Sequence, residues 1–138
     1  MFKKITVLLL LFFLYQSCTE KENEYIWKTK EVHVSAYNSV HWQTDDQPSL
    51  AAWGDTLSPG MKAIAISKDL LDLGLERGTH VKIPGLEGVY VVMDKMNSRW
   101  KNKIDVYMGS DVDKARDWGK KKLKIRYRVK READIKKE

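Results

Sequence analysis

The chain has 138 residues, which fits a single domain with one modest core. It carries 25 Lys and Arg against 19 Asp and Glu, and this mild net charge of +6 does not favour nucleic-acid binding, so no nucleic-acid partner is expected. The single cysteine excludes an internal disulfide.

The first residues have the pattern of a secretory signal. Lys3 and Lys4 precede the apolar run Ile5–Tyr15, which is shorter than the roughly 20 residues that span a bilayer. Cys18 follows the small residue Ser17, and we expect it to be acylated as the first residue of a mature lipoprotein. This predicts a cell-envelope protein that is lipid-anchored to a bacterial membrane, on the periplasmic side. An uncleaved anchor and a free thiol are the alternatives.

Composition divides the chain into four segments. We predict a signal peptide at 1–17, a lipidated N-terminus with a flexible tether at 18–31, a folded domain at 32–129 and a charged tail at 130–138. The tether is predicted because this stretch is polar and charged, with few apolar residues to bury. The tail is predicted to fray for the same reason.

Six short strands and two helical pieces are predicted within the domain. The strands are Val32–Tyr37, Ala63–Ser67, Thr79–Ile83, Val89–Met93, Ile104–Tyr107 and Leu123–Val129. A helical turn at Lys68–Leu73 is expected to start at the N-cap Ser67 and stop at Gly74. A second helix is expected at Asp111–Trp118, with Ser110 as its cap. This succession has no βαβ rhythm and favours a small closed β-barrel. Val89, Val91 and Ile104 are expected in the barrel core or on its packed faces.

Two aspartates lie in or directly after apolar strands that follow one another in the chain. Asp94 comes where the fourth strand ends, and Asp105 interrupts the fifth strand between Ile104 and Val106. A carboxylate among β-branched residues in a sheet is costly unless it is paired or functional. An aspartate that closes a turn is the alternative, and it is preferred for Asp94 taken alone.

The loop between these two strands is basic and carries one aromatic residue. Trp100 lies among Arg99, Lys101 and Lys103, so it is a candidate for stacking on a sugar ring, with core packing as the alternative. Trp42 and Trp53 are weaker candidates for the same role. The later run at 120–122, three lysines, is interpreted as a solvated face.

These segments together resemble the three-aspartate (3D) domain of bacterial cell-wall lytic enzymes, over about residues 32–127. The resemblance is carried by Val34–Tyr37, Gly54–Gly60, Ala63–Ile66, Gly78–Ile83, Asp94, Ile104–Tyr107, Ala115–Gly119 and Leu123–Ile125. The chain departs from the family at Ser67, where the family has its first aspartate, and at Met96 and Asn97, where it has a glycine pair. The resemblance implies a mainly β fold, a six-stranded double-psi β-barrel of rare-lipoprotein-A-like type with one or two short helices, related to membrane-bound lytic transglycosylase A.

The resemblance also implies that peptidoglycan glycan strands are the partner. A lytic transglycosylase needs one carboxylic acid, and Asp105 is the expected acid/base, with Asp94 as its partner. The other residues expected to contact the glycan are Tyr37, Asp55, Trp100 and Lys101. A glycan-binding barrel without catalysis is the alternative, favoured by the missing first aspartate. The histidines show no metal-ligand spacing and no cofactor fingerprint is present, so neither a metal nor a cofactor is expected.

Overall fold

The computed structural model describes residues 24–40 and 49–131. The predicted signal peptide, the lipidation site Cys18, the start of the tether, Trp42 and most of the predicted tail lie outside the described residues. Within the described ranges, none of the helices is long and apolar enough to cross a membrane.

Six strands and two short helices make up the described fold. The strands are β1 (Tyr25–Tyr37), β2 (Ala63–Ile66), β3 (His80–Lys82), β4 (Tyr90–Lys95), β5 (Lys103–Tyr107) and β6 (Lys121–Lys130). A 3₁₀ helix spans Lys68–Leu73 and an α-helix, α1, spans Val112–Trp118. The prediction of a mainly β, six-stranded barrel with one or two short helices is confirmed.

The strands close into a barrel in the order β1-β5-β2-β4-β3-β6. The pairs β1·β5 and β2·β4 are parallel and the other four pairs are antiparallel. Strand β5 therefore lies between the consecutive strands β1 and β2, and β4 lies between β2 and β3. A strand inserted between two consecutive strands defines a psi motif, and this barrel contains two. The consequence for the site is that β4 and β5, which carry the two aspartates, flank the same short strand β2.

Strand β1 begins at Tyr25, inside the segment predicted to be a flexible tether. Its first half pairs with the end of β6, from Tyr25 opposite Lys130 onward, so the barrel also includes the first residue of the predicted tail. Polar strands of this kind are stabilised by their ladder and by cations over aromatic rings. The Arg128 guanidinium lies 3.9 Å from the Tyr25 ring, and the Lys82 ammonium lies 4.9 Å from the Trp27 ring.

Alternate residues of the strands fill the barrel interior. Val92 and Ile104 are fully buried there, which confirms Ile104 as a core residue. Val89 precedes β4 and is 36% exposed, so the prediction for Val89 is wrong, and Val91 is partly buried outside the core. The reason is the period of two in a strand: with Val92 inside, its neighbour Val91 points to the outer face.

The helix boundaries follow the sequence signals, but the caps differ. The 3₁₀ helix ends at Gly74, whose φ of 89° is the left-handed conformation that glycine adopts without strain. Ser67 precedes this helix without capping it through its side chain. Helix α1 is capped by Asp111 instead of the predicted Ser110, because the Asp111 carboxylate accepts a hydrogen bond from the Lys114 N–H at 2.9 Å.

Candidate functional site

A row of four side-chain positions crosses β1, β5, β2 and β4 on the outer face of the barrel. Asp105 of β5 lies opposite Ser35 of β1 on one side and opposite Ala65 of β2 on the other. Ala65 in turn lies opposite Asp94 of β4. Residues that are opposite each other in a sheet point to the same face, so both aspartates flank the small side chain of Ala65.

A bulge in β4 is what brings Asp94 onto this face. The register between β2 and β4 shifts after Ile64 opposite Val92, so that Ala65 meets Asp94 and Met93 is the extra residue. Without the extra residue, Asp94 would lie opposite Ile66, which is fully buried in the core. Bulges re-aim side chains in this way beside functional sites. The same reasoning explains why Asp105 is tolerated: its neighbours in sequence point inward and it points outward.

Asp94 is a half-buried carboxylate with two backbone donors. Its Oδ1 accepts hydrogen bonds from the N–H groups of Ala52, at 2.7 Å, and of Lys95, at 2.8 Å. Burial raises the pKa of Asp94, although the two N–H donors and the positive charge of Lys95 oppose that rise. Asp94 therefore holds its proton to a higher pH than a free aspartate does, which is the direction that a proton donor needs.

Asp105 is held by two side-chain donors. Its Oδ1 accepts a hydrogen bond from the Ser35 hydroxyl, and the Lys103 ammonium lies 3.5 Å from the same oxygen. Both side chains of the ion pair are largely shielded, with 15% of Lys103 and 20% of Asp105 exposed. The Asp105 carboxylate is therefore held in place by two donors, on the other side of Ala65 from Asp94.

Tyr37, predicted to contact the substrate, lies close enough to both aspartates to feel their charge. Burial raises the pKa of Tyr37, and the negative charges of Asp94 and Asp105 raise it further. The Tyr37 ring packs 5.5 Å from the ring of Tyr107, whose hydroxyl is 2.7 Å from the Ser39 hydroxyl. Within the described part of the chain, the Tyr37 hydroxyl is buried without a hydrogen-bond partner. A ligand at the aspartates would find a neutral phenol there.

Trp100 and Lys101 lie at the other end of the row, beside Ser35 and Lys103. All four residues line one cavity of about 350 Å³. Trp100 is 39% exposed, and the Lys103 ammonium lies 3.9 Å from the centroid of its ring. The indole is therefore a surface group that a cation orients, and the alternative of core packing does not hold for Trp100.

Asp55 is paired with a cation. Its carboxylate accepts a hydrogen bond from Nε of Arg77 at 2.8 Å, and this contact lowers the pKa of Asp55. A substrate contact through Asp55 stays a prediction. The surrounding loop still reaches the site, but through the backbone N–H of Ala52 on Asp94.

Ser67 and Asp69, near the position of the family's first aspartate, anchor the basic loop. The Ser67 hydroxyl is fully buried and accepts a hydrogen bond from the Lys103 N–H at 2.9 Å. Asp69 Oδ2 accepts one from the Asn102 N–H, also at 2.9 Å. Asn102 has a φ of 47°, so the loop turns into β5 through a left-handed residue that asparagine tolerates. These contacts fix the end of the loop that carries Trp100.

Sequence reasoning missed two members of the site, Ser35 and Lys103. Ser35 was an ordinary outward residue of the first strand, and Lys103 was counted with the loop. Ser35 could be found only through the strand pairing, since 70 positions separate it from Asp105, whereas Lys103 lies two residues before Asp105 in β5 and strand alternation places it on the same face. Among residues 24–40 and 49–131, no group of three or more His, Cys, Asp and Glu side chains could hold a metal ion.

Comparison with known proteins gives a distant structural likeness. No family model matches the chain, and no curated protein matches it. Among solved structures, the six-stranded barrel is similar to the Streptomyces papain inhibitor, with 20% sequence identity, a TM-score of 0.49, and coverage of 75% of this chain and 96% of the inhibitor. A likeness at that level carries no argument about what this chain does.

Proposed function

We propose that this chain is a 3D-domain lipoprotein of the cell envelope that cleaves peptidoglycan glycan strands as a lytic transglycosylase. The observation that carries the proposal is the pair Asp94 and Asp105 on either side of Ala65, aligned by the bulge in β4. The retained spacing of these two residues in the 3D-like sequence supports the family assignment.

The geometry suits a glycan. Two strand spacings separate Asp94 from Asp105, which puts their Cα atoms about 9–10 Å apart. Ala65 between them has a small side chain and is 5% exposed, and the proposal places a sugar ring over it with its glycosidic oxygen near one carboxylate. The exposed ring of Trp100 offers a flat face at one end of the row, as sugar-binding sites require.

Asp94 is the better proton donor of the two. It is half-buried and its pKa is raised, whereas Asp105 accepts from a hydroxyl and pairs with an ammonium. In the proposed reaction Asp94 protonates the glycosidic oxygen, and the bond from C1 to that oxygen breaks. The carboxylate of Asp94 then takes the proton of the C6 hydroxyl as O6 bonds to C1. Asp94 is left protonated and the product ends in a 1,6-anhydro sugar.

Asp105 contributes a fixed negative charge in this scheme. Positive charge develops at C1 as the leaving group departs, and the Asp105 carboxylate, two strands away from Asp94, stabilises it. Ser35 and Lys103 hold the Asp105 carboxylate in place, so little reorganisation is needed. These roles are the reverse of those expected from the sequence, where Asp105 was the acid and Asp94 its partner.

A glycan-binding barrel without catalysis is the second candidate, and Ser67 favours it. The position of the family's first aspartate carries a buried hydroxyl engaged with the Lys103 N–H, so no third carboxylate is supplied there. Binding through Tyr37 and Trp100 would remain.

Anchoring by Cys18 would place the barrel close to the membrane. The first strand begins at Tyr25, and seven residue steps span at most about 25 Å. We therefore expect the site to reach only glycan strands near the membrane that holds the lipid.

The experiment incubates the purified protein with sacculi and analyses the released muropeptides. New 1,6-anhydro-muramyl ends support cleavage. Sedimentation of the protein with sacculi and no new ends would instead support the binding barrel.

A further inference from the structure

The cavity beside Trp100 is lined by an unusual set of charges. Five of its nine lining residues are lysines, and no Asp or Glu side chain lines it among the described residues. His33 adds a further basic group at its edge. The lysines come from two segments that are distant in sequence, one at the start of β5 and one at the start of β6: Lys101, Lys103, Lys120, Lys121 and Lys122.

Several of these ammonium groups are available to a ligand. Lys101 and Lys120 have no ion pair within the part of the chain that the structure describes. Lys121 lies 3.6 Å from an aromatic ring centroid, a contact that leaves its charge uncompensated. Lys122 pairs with Glu31 at 2.8 Å, but both groups are more than half exposed and that pair is weak. Like charges so close together repel one another, and an anion between them removes that cost.

The cavity is continuous with the aspartate row. Ser35 and Lys103 line it with their neighbours, and both also contact the Asp105 carboxylate. The ring of Trp100 forms part of the same wall. Only Ser35 and Lys103 therefore separate an anion in this cavity from the Asp105 carboxylate. The anion also lies next to a ring on which a sugar can stack.

We infer that this cavity is a subsite for a carboxylate borne by the muramyl sugar of the substrate. The inference rests on the proposed function and adds the substrate class, which is a glycan with an anionic side arm. A free lactyl group on a peptide-free strand and a stem-peptide carboxylate offer the same chemistry. A cavity of about 350 Å³ accepts a carboxylate with the chain that bears it, but not a folded partner.

The test compares three soluble ligands by calorimetry: neutral chitotetraose, a peptide-free muramyl tetrasaccharide and the same tetrasaccharide with stem peptides. We expect at least one anionic ligand to bind more tightly than chitotetraose. In the double variant Lys120→Gln and Lys121→Gln, that ligand should bind about three- to tenfold more weakly, with chitotetraose unchanged. The anionic ligand that loses affinity identifies the source of the carboxylate.

Lys124→Gln is the matched control, since Lys124 is an exposed residue of β6 that does not line the cavity. It should leave the affinity for every ligand unchanged. Equal affinity for neutral and anionic ligands overturns the inference, as does an equal loss of both in the double variant. Phosphatidylglycerol vesicles are a fourth ligand. If the double variant loses binding to these vesicles alone, the cavity is a membrane contact and the inference is overturned.

The two proposals fail separately. Anhydro ends released from sacculi without any preference for anionic ligands retain the cleavage proposal and reject the subsite. A preference for anionic ligands without anhydro ends retains the subsite on a binding barrel.

Discussion

Asp94 and Asp105 are chemically the same residue in different surroundings. Asp94 meets only backbone donors and is half-buried, which raises its pKa, while Asp105 meets a hydroxyl and an ammonium. The sequence pointed to both residues but assigned the acid to Asp105. Their difference comes from Ala52, Ser35 and Lys103, and two of these, Ala52 and Ser35, are far from their partner aspartate in the chain.

The raised pKa of Asp94 has a consequence for stability. The folded protein retains the Asp94 proton at a pH where the unfolded chain, with an ordinary value near 3.8, has lost it. The stabilisation is complete below the unfolded value and is lost as pH rises through the folded value. We therefore expect the free energy of unfolding of the wild type to fall relative to Asp94→Asn as pH increases from about 4. The difference in unfolding free energy should change by less than about 1.4 kcal/mol per pH unit, because the Asp94 side chain is partly solvated.

Urea unfolding of both proteins between pH 3.5 and 7 measures this difference. Asp113→Asn is a suitable control, because Asp113 is an exposed residue of α1. Curves for the wild type and Asp94→Asn that stay parallel over the whole range would show that burial does not hold the proton.

The elements were predictable where the pattern of apolar residues was regular. The six strands follow from short β-branched runs, and the 3₁₀ helix ends at Gly74 as expected. The register was not predictable, because an extra residue in β4 changes which side chains face the core. The start of β1 was missed as well, since Tyr25 and its polar neighbours are ordered by pairing with β6 and not by an apolar pattern.

A buried and an exposed apolar residue near these strands should therefore lose very different amounts of stability when each is replaced by Ala. Ile104 of β5 is fully buried, so Ile104→Ala should lower the free energy of unfolding by about 2–5 kcal/mol. Val89→Ala, at a site 36% exposed, should change it by less than about 0.5 kcal/mol. Denaturant melts of the two variants make the comparison, and similar losses in both would contradict the register described for β4 and β5.

At the scale of the whole molecule, the barrel brings together segments that are far apart in the chain. Lysines near positions 101 and 121 meet in one cavity, although the sequence suggested only a solvated face for the second group. Charge counting could not have found this cavity, because it depends on β1 lying between β5 and β6. The whole-molecule proposal adds a membrane anchor at Cys18, before the first strand.

Replacing Cys18 with Ala should release the protein from the membrane fraction and abolish palmitate labelling, since no other cysteine is present. Ser17→Ala keeps a small residue before the cysteine and should leave both properties intact. A Cys18→Ala protein that fractionates with membranes and labels like the wild type would reject the lipoprotein proposal.

The central claim is that the aspartate pair cleaves glycan, with Asp94 as the acid. The most direct measurement counts 1,6-anhydro-muramyl ends formed on sacculi by the wild type, Asp94→Asn and Asp105→Asn, with a melting curve for each. We predict a loss of about 10²–10⁴-fold in Asp94→Asn with the fold retained, and a smaller loss in Asp105→Asn. The wild-type rate should fall as pH rises through the raised pKa of Asp94. Full activity in a folded Asp94→Asn protein would contradict the account, and loss of activity in Asp105→Asn alone would return the acid to Asp105.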